Sequence, residues 1–308
     1  MFDVLCVSDC CCDLVFKGLA KVPDPGTEEY CEELYLTAGG GANTPSGLAR
    51  LGCCTAYLSA VGDDAMGDVV CAGLAAAGVD ACCLQREPGA RTWVSAVLST
   101  KKDRAFASYA GSGVACTRGQ LEALVRGARW VHTYSCYCEK FPFLPEVCRA
   151  AGVPFSLDAA FDKAQTLDGL RSLLGQAALF TPNDVEACAL TGEASPLAAL
   201  AALAEVCPHV VVTLGAQGAL AFLDGRFWRV RPPQVEAVDP NGAGDLFNAG
   251  LIAARLEGQD AAGQLRLAAA SGALAVTYPG GMDVCYTRRN VEALARAAAV
   301  EPIDPARG

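Results

Sequence analysis

Asp239-Pro240-Asn241-Gly242-Ala243-Gly244-Asp245-Leu246-Phe247 sets two acids and two glycines directly before an apolar stretch of helical character. At a helix start the first backbone N–H groups lack intrahelical partners and the dipole favours negative charge, so phosphate is a natural ligand there. Gly242, Ala243 and Gly244 are small enough to let an anion reach the main chain. Asp245 would be repelled by that anion unless it has a task. Taking the proton from an attacking hydroxyl is one, because phosphoryl transfer asks for positioning, charge stabilisation and a base. The competing reading is a helix-end charge worth about 0.3–1 kcal/mol.

A second cluster, Ala38-Gly39-Gly40-Gly41-Ala42-Asn43-Thr44-Pro45, also runs into a helical pattern. Thr44 as cap and Pro45 as first helical residue make a credible helix start. Gly39 to Gly41 would let a small ligand lie against the backbone, with the Asn43 amide offering donors and acceptors. A glycine-rich turn without a ligand is the competing reading. Neither GxxxxGK[ST] nor GxGxxG occurs, which counts against the P-loop and dinucleotide-binding folds.

These residues must be positioned by an α/β framework. Val4 to Val7, Tyr57 to Val61, Trp130 to Thr133, Phe155 to Leu157, Ala178 to Phe180 and Val210 to Leu214 are short apolar runs, as parallel strands covered on both faces should be. Between them Leu121, Leu124, Val125 and Ala128 share a helix face, as do Leu144, Val147, Cys148 and Ala151, and Gly152 ends the latter helix. The expected architecture is a doubly wound, mostly parallel sheet with helices on both faces. Two stretches break the rhythm. One runs from about Leu14 to Thr37 and includes the semi-alternating Glu29 to Leu36; the other, about 91–111, flanks a turn at Lys101-Lys102-Asp103. They read as a small separate β-sheet, a lid inserted at about 14–37 and 91–111 into one domain spanning 1–308. Polar residues follow the strands: Ser8, Asp9 and Asp13, then Gly62-Asp63-Asp64, Asp158, Asn183-Asp184 and Gly215. Ligands of open α/β sheets bind beyond the carboxyl ends of the strands, so these groups are expected in one crevice.

Composition narrows the partners. Hydrophobic residues make up 52% of the 308 and charged residues 19%, enough for a large core. A net charge of -10 offers no broad basic face, so nucleic acid and anionic membranes are excluded as principal partners. No run is long and uninterrupted enough for a membrane span, and Met1 to Val7 read as a first strand rather than a secretory signal, so a cytoplasmic protein is expected. The 17 cysteines then read as reduced thiols and small core filler. His132, Cys136 and Cys138 have no second ligand pair to complete a zinc site, and His209 reads as structural.

Taken in order, GGGAN with its following LARLG, AVGDDAMG, TPNDVEA, VVVTLGAQGAL and NGAGDLFNAG make the chain resemble the ribokinase-like, PfkB-type carbohydrate kinases from Val4 to about Met282. That resemblance implies an ATP-dependent kinase using Mg2+, with a central α/β domain and a β-lid. It implies Asp245 as catalytic base and Gly242, Ala243 and Gly244 as the anion hole. Asp13, Gly39, Gly40 and Asn43 would contact substrate. Asn183 and Glu186 would organise magnesium and phosphate, Glu186 through water, and Thr213 and Gly215 would border the nucleotide. Asp239 would be placed to help hold K+ or Na+. Pro240 and Asn241 stand where the family usually has threonines, which puts monovalent-ion use in doubt, and the Asp158 segment lacks the Asn and Arg common in many sugar kinases.

Asp13 and Asn43 suit neutral hydroxyls, since carboxylate and amide together accept from and donate to a polyol. A phosphorylated substrate would need a basic pocket, for which Lys163 and Arg104 are the candidates. Trp93, Phe106 and Tyr109 of the lid could stack on a sugar ring or a nucleobase. The leading expectation is a kinase of an unphosphorylated sugar or sugar acid. A nucleoside kinase and a non-catalytic sugar-binding regulatory protein are the alternatives, and homodimerisation through the lid is an open expectation taken from the family.

Overall fold

Fourteen strands appear among the residues that the computed structural model describes, 1–100, 104–159, 165–278 and 285–305. In chain order they are β1 (Phe2–Val7), β2 (Cys10–Leu19), β3 (Glu33–Gly40), β4 (Thr55–Gly62), β5 (Leu84–Glu87), β6 (Trp93–Thr100), β7 (Arg104–Tyr109), β8 (Ala128–Tyr134), β9 (Phe155–Asp158), β10 (Leu179–Thr181), β11 (Val210–Thr213), β12 (Ala219–Leu223), β13 (Arg226–Arg231) and β14 (Ala299–Pro302). Ten make one sheet in the order β14-β13-β12-β11-β10-β9-β8-β1-β4-β5, parallel from β11 to β5 and antiparallel beyond it. The doubly wound expectation holds, and its cause is visible in β1. Val4 and Cys6 join one apolar layer, with the Asn43–Arg50, Ala243–Leu256 and Ala261–Ala275 helices. Leu5 and Val7 join the other, with the Arg118–Arg126, Leu144–Ala151 and Leu167–Leu174 helices. Strands buried on both faces have no polar side to alternate, which is why they read as unbroken apolar runs.

The antiparallel β12–β13 hairpin was not among the expected strands. Its signal was local: Asp224 and Gly225 both take positive φ, 52° and 74°, as a two-residue hairpin turn demands. Gly152 ends the Leu144–Ala151 helix in the left-handed conformation, as expected.

Four strands form a second sheet in the order β3-β2-β6-β7. Its first two strands reach from Cys10 to Gly40, so it takes in Asp13, Gly39 and Gly40, which the sequence reading set at a strand end or in a turn outside it. Glu29 to Glu32 precede β3 rather than belonging to it, and the Lys101-Lys102-Asp103 turn lies outside the described residues. The crossings into this sheet are fastened by side chains of the larger one. Asp64 caps the Ala65–Ala77 helix and also accepts from the Thr92 amide at 3.1 Å and the Thr92 hydroxyl at 2.7 Å. The Asp9 amide donates to the Tyr137 hydroxyl at 2.7 Å, and Asp9 Oδ1 accepts from the Val114 amide. No single helix among the described residues is long and apolar enough to cross a membrane.

Candidate active site

Helix packing assembles the surroundings of Asp245. The Asn43–Arg50 helix lies against the Ala243–Leu256 helix at Gly47, where a Cβ would stand 2.5 Å from Leu246 Cδ2 and 2.9 Å from the Ala249 Cβ. That approach brings Asn43 Nδ2 to 3.1 Å from Asp245 Oδ2 and Thr44 Oγ1 to 3.3 Å from Oδ1. Thr44 is therefore not the helix cap that its position before Pro45 suggested. The helix begins at Asn43 on Ala42, without a side-chain cap, and the threonine hydroxyl serves the carboxylate instead. A third donor comes from the end of β8, the Tyr134 hydroxyl, 2.8 Å from Oδ1. Burial pushes the Asp245 carboxyl above the ordinary carboxylate range, and hydrogen bonds from Tyr134, Asn43 and Thr44 pull against it. The residue keeps partial exposure.

Gly242 begins the Ala243–Leu256 helix at φ 72°, and no side chain caps that start. The Ala243 amide reaches the Pro240 carbonyl at 3.4 Å, and the Gly244 Cβ position has open space around it, so this start leaves room for an anion. Ala243 and Gly244 also line a cavity of about 350 Å³, together with Thr213, Gly215, Pro233, Phe247 and Ala273. Thr213 and Gly215 thus share one wall with the glycine loop. Asn183 bridges to Thr213 at the end of β11, and with Glu186 it forms a reciprocal capping box on the Asp184–Thr191 helix, at 2.8 and 2.9 Å. Burial raises the Glu186 carboxyl, and that of Asp158 is raised by burial and then by Asp245 and Glu186. Asn248 Nδ2 donates to Asp158 at 2.8 Å.

The small sheet supplies the opposite wall. Asp13 is buried and points toward Gly39, where any Cβ would overlap its carboxylate, so glycine is obligatory there. The Cys11 thiol donates to Asp13 Oδ1 at 3.0 Å. Gly40 takes φ +58° with its Cβ position against Cys11 Sγ, which completes the turn toward Asn43. Burial pushes the Asp13 carboxyl up, hydrogen bonds from Cys11 and Asn241 oppose this, and the charges of Asp245 and Asp239 add to it. Register sets Tyr35, Trp93, Arg104 and Phe106 on the Asp13 face, whereas Tyr109 pairs with Val94 and stands on the other. Tyr109 is thereby removed from the expected stacking set.

Arg104 Nη1 reaches 3.5 Å from Asp239 Oδ1, and Asp239 also accepts from the Asn241 amide at 2.9 Å. A guanidinium on this carboxylate, with Pro240 and Asn241 in place of hydroxyl residues, does not fit a K+ or Na+ ion held by Asp239. Lys163 lies outside the described residues. His132 is buried, bonded at 2.9 Å through Nδ1 to Ser156 Oγ, and pushed down to about 4 by desolvation. His209 bonds the Ala178 carbonyl at 2.9 Å. Among the described residues no group of three or more His, Cys, Asp or Glu side chains is arranged to hold a metal.

The structure brings Asp13, Gly39, Gly40, Asn43 and Asp245 near one another and sets Thr213 and Gly215 on the cavity lining, where the sequence reading expected one crevice. That reading missed Tyr134, Thr44 as a donor and the Arg104–Asp239 pair. Tyr134 ends a strand that was read as stopping at Thr133, so a strand-end search one residue longer would have found it.

Comparison with known proteins bears on this arrangement. The family model described as pfkB family carbohydrate kinase matches residues 1–288. The chain is 28% identical over 291 residues to the ribokinase of Haemophilus influenzae, covering 86% of this chain and 89% of that one. It is 29% identical over 272 residues to a nucleoside kinase of Methanothermobacter thermautotrophicus, 84% of each. A candidate ribokinase II from Escherichia coli, solved in complex with ATP and Mg2+, superposes with a TM-score of 0.80 at 26% identity, over 96% of this chain and 99% of that one.

Proposed function

Since this chain belongs to the pfkB family of carbohydrate kinases, we propose that it transfers the γ-phosphoryl group of ATP to a hydroxyl of an unphosphorylated sugar or sugar acid. One observation carries this reading. The Asp245 carboxylate and the uncapped helix start at Gly242 to Gly244 lie between an acid-lined cleft and a separate cavity. The hydroxyl oxygen attacks the γ-phosphorus, the bond to the β-phosphate bridging oxygen breaks, Asp245 takes the hydroxyl proton, and ADP leaves. The Gly242, Ala243 and Gly244 amides face the charge that gathers on the transferring group. ATP occupies the cavity bordered by Thr213 and Gly215.

Asp13 and Asn43 orient the acceptor. Asp13 accepts from sugar hydroxyls, and Asn43 ties the substrate wall to the base. Glu186, with Asp158 beside it, fits an outer-sphere magnesium partner: two coupled carboxylates without a third ligand suit an ion held chiefly by phosphate and water. Magnesium there would offset repulsion among phosphate oxygens. Asp239 is assigned no monovalent ion, because Arg104 faces it.

The small sheet acts as the lid of a single catalytic unit. Its outer face exposes Leu34, Leu36 and Tyr109, 56%, 43% and 56% open, which supports pairing of the lid with that of a second copy of this chain. A nucleoside acceptor is the second reading, favoured by Trp93 and Phe106 on the cleft face and by the likeness to a nucleoside kinase. ADP release measured over a panel of sugars, sugar acids and nucleosides decides between them. A response confined to nucleosides puts the second reading first. Binding without turnover leaves a regulatory protein.

A further inference from the structure

Asp245 has two chemically equivalent oxygens, and the structure makes them unequal. Oδ1 accepts from the Tyr134 hydroxyl at 2.8 Å and shares the Thr44 Oγ1 proton with the Asp245 carbonyl, each at 3.3 Å, while Oδ2 accepts from Asn43 Nδ2 at 3.1 Å. A carboxylate has about four acceptor sites, so Oδ1, with two hydroxyls directed at it, is the more fully occupied oxygen and Oδ2 keeps a lone pair. Tyr134 arrives from β8 and Asn43 and Thr44 from the Asn43–Arg50 helix, so the carboxylate is gripped from two independent elements. Its ring is itself held edge-on to His132 at 5.9 Å and tilted against Tyr137 at 6.3 Å between centroids.

We propose that Tyr134 is a positioning residue for the base: its hydroxyl pins Asp245 Oδ1 and leaves Oδ2 as the oxygen that takes the substrate proton. This rests on the kinase reading above. Burial and the neighbouring carboxylates push the Tyr134 phenol well above its usual value, so it remains an O–H donor wherever the enzyme works. The ionisable groups facing Asp245 are Tyr134 itself, Asp13 from β2 and Asp158 from β9. Burial disfavours the ionised base, and Tyr134 opposes it, together with Asn43 and Thr44, while the charge of Asp245 raises both neighbouring acids. None of this follows from a motif, because Tyr134 lies 111 residues from Asp245.

The experiment is a carboxyl-carbon NMR titration of Asp245 in the full chain, assigned with Asp245→Asn, for the native protein, Tyr134→Phe and Tyr137→Phe. Tyr137 offers its hydroxyl to the Asp9 amide and is the control. Asp245 is expected to titrate at higher pH in Tyr134→Phe and at its native pH in Tyr137→Phe. With an acceptor from the panel, the acid limb of kcat/KM moves up by the same amount, kcat falls about tenfold and the acceptor KM stays within about twofold, as loss of one hydrogen bond to a charged group implies. Site-specific 3,5-difluorotyrosine at position 134, a stronger donor that keeps the ring, is expected to move the Asp245 titration the other way, and it covers the case in which Tyr134→Phe does not fold. Titration of Asp245 at its native pH in both position-134 variants, or an equal shift in Tyr137→Phe, overturns the inference. If the native chain phosphorylates nothing while the Tyr134-dependent shift is present, the kinase reading fails and the pinning of Oδ1 stands.

Discussion

The cleft that holds Asp245 and the cavity beyond Gly244 are built on opposite principles. In the cleft each carboxylate is met by named side-chain donors: Asp245 by Tyr134, Asn43 and Thr44, Asp13 by Cys11, and Asp158 by Asn248. The cavity is lined mainly by glycine, alanine, proline, valine and Phe247, with Thr213 and Gln234 as its polar side chains. A site made of oriented hydrogen bonds rejects a ligand that leaves them unpaired. One made of small apolar groups selects by shape and is far more permissive. Precision is thus concentrated where the proton and phosphoryl move, and the donor side is a slot.

Four measurements test that contrast. The largest effect is expected for Asp245→Asn, which removes the base while keeping its size: kcat falls by about 10²–10⁴ and ligand binding, read by calorimetry, persists. Turnover within about tenfold of native would remove Asp245 from the proton step. Next, Ala273→Phe fills the cavity from the buried Ala273 position and should raise the KM for ATP about tenfold or more, with the acceptor KM unchanged. Equal changes in both constants would show that the two regions are not separate. Smaller still is discrimination at the slot: kcat/KM for GTP is expected within about tenfold of that for ATP, since an apolar wall does little to reject an altered exocyclic group. A preference above about a hundredfold would mean that main-chain groups read the base.

The smallest effect concerns stability. Burial raises the folded-state carboxyl of Asp245, so its contribution to stability is full below the ordinary carboxylate range, near 3.8, and is lost as pH rises through the folded value. Asp245→Asn should therefore melt higher than the native chain at pH 8, by about 2 °C, and the two should converge near pH 3. A lower melting temperature for the variant at pH 8 would show that the donors around Asp245 outweigh its desolvation. The same acids that make the cleft selective are thus expected to weaken it.

Much of the framework was legible because it is written in local patterns. The strand cores of β1, β4, β8, β9, β10 and β11 appeared as apolar runs, and the glycine clusters marked close backbone approaches. Gly39 yields to Asp13 and Gly47 to Leu246, and in each case a methyl group would meet an atom already present. The β12–β13 hairpin was legible too, in its Asp224-Gly225 turn, but went unread. The reach of β2 down to Cys10 was not: only Ser8 and Asp9 separate it from β1, so the change of sheet occurs inside what reads as one cysteine-rich run. Thr44 was misassigned because a hydroxyl ahead of a proline satisfies the local capping rule, and the rule does not register a carboxylate 201 residues away.

By itself the sequence determined the class of fold, the places where main chain must come close to a ligand or a neighbour, and the acid standing at a helix start, since each depends on a few consecutive residues and their intrinsic backbone preferences. Tertiary structure alone decided which donors hold that acid, which face of the small sheet looks inward, and that Arg104 meets Asp239. Those outcomes depend on strand register and helix packing to within an ångström, and short-range side-chain contacts between distant segments exist only once the core has set both.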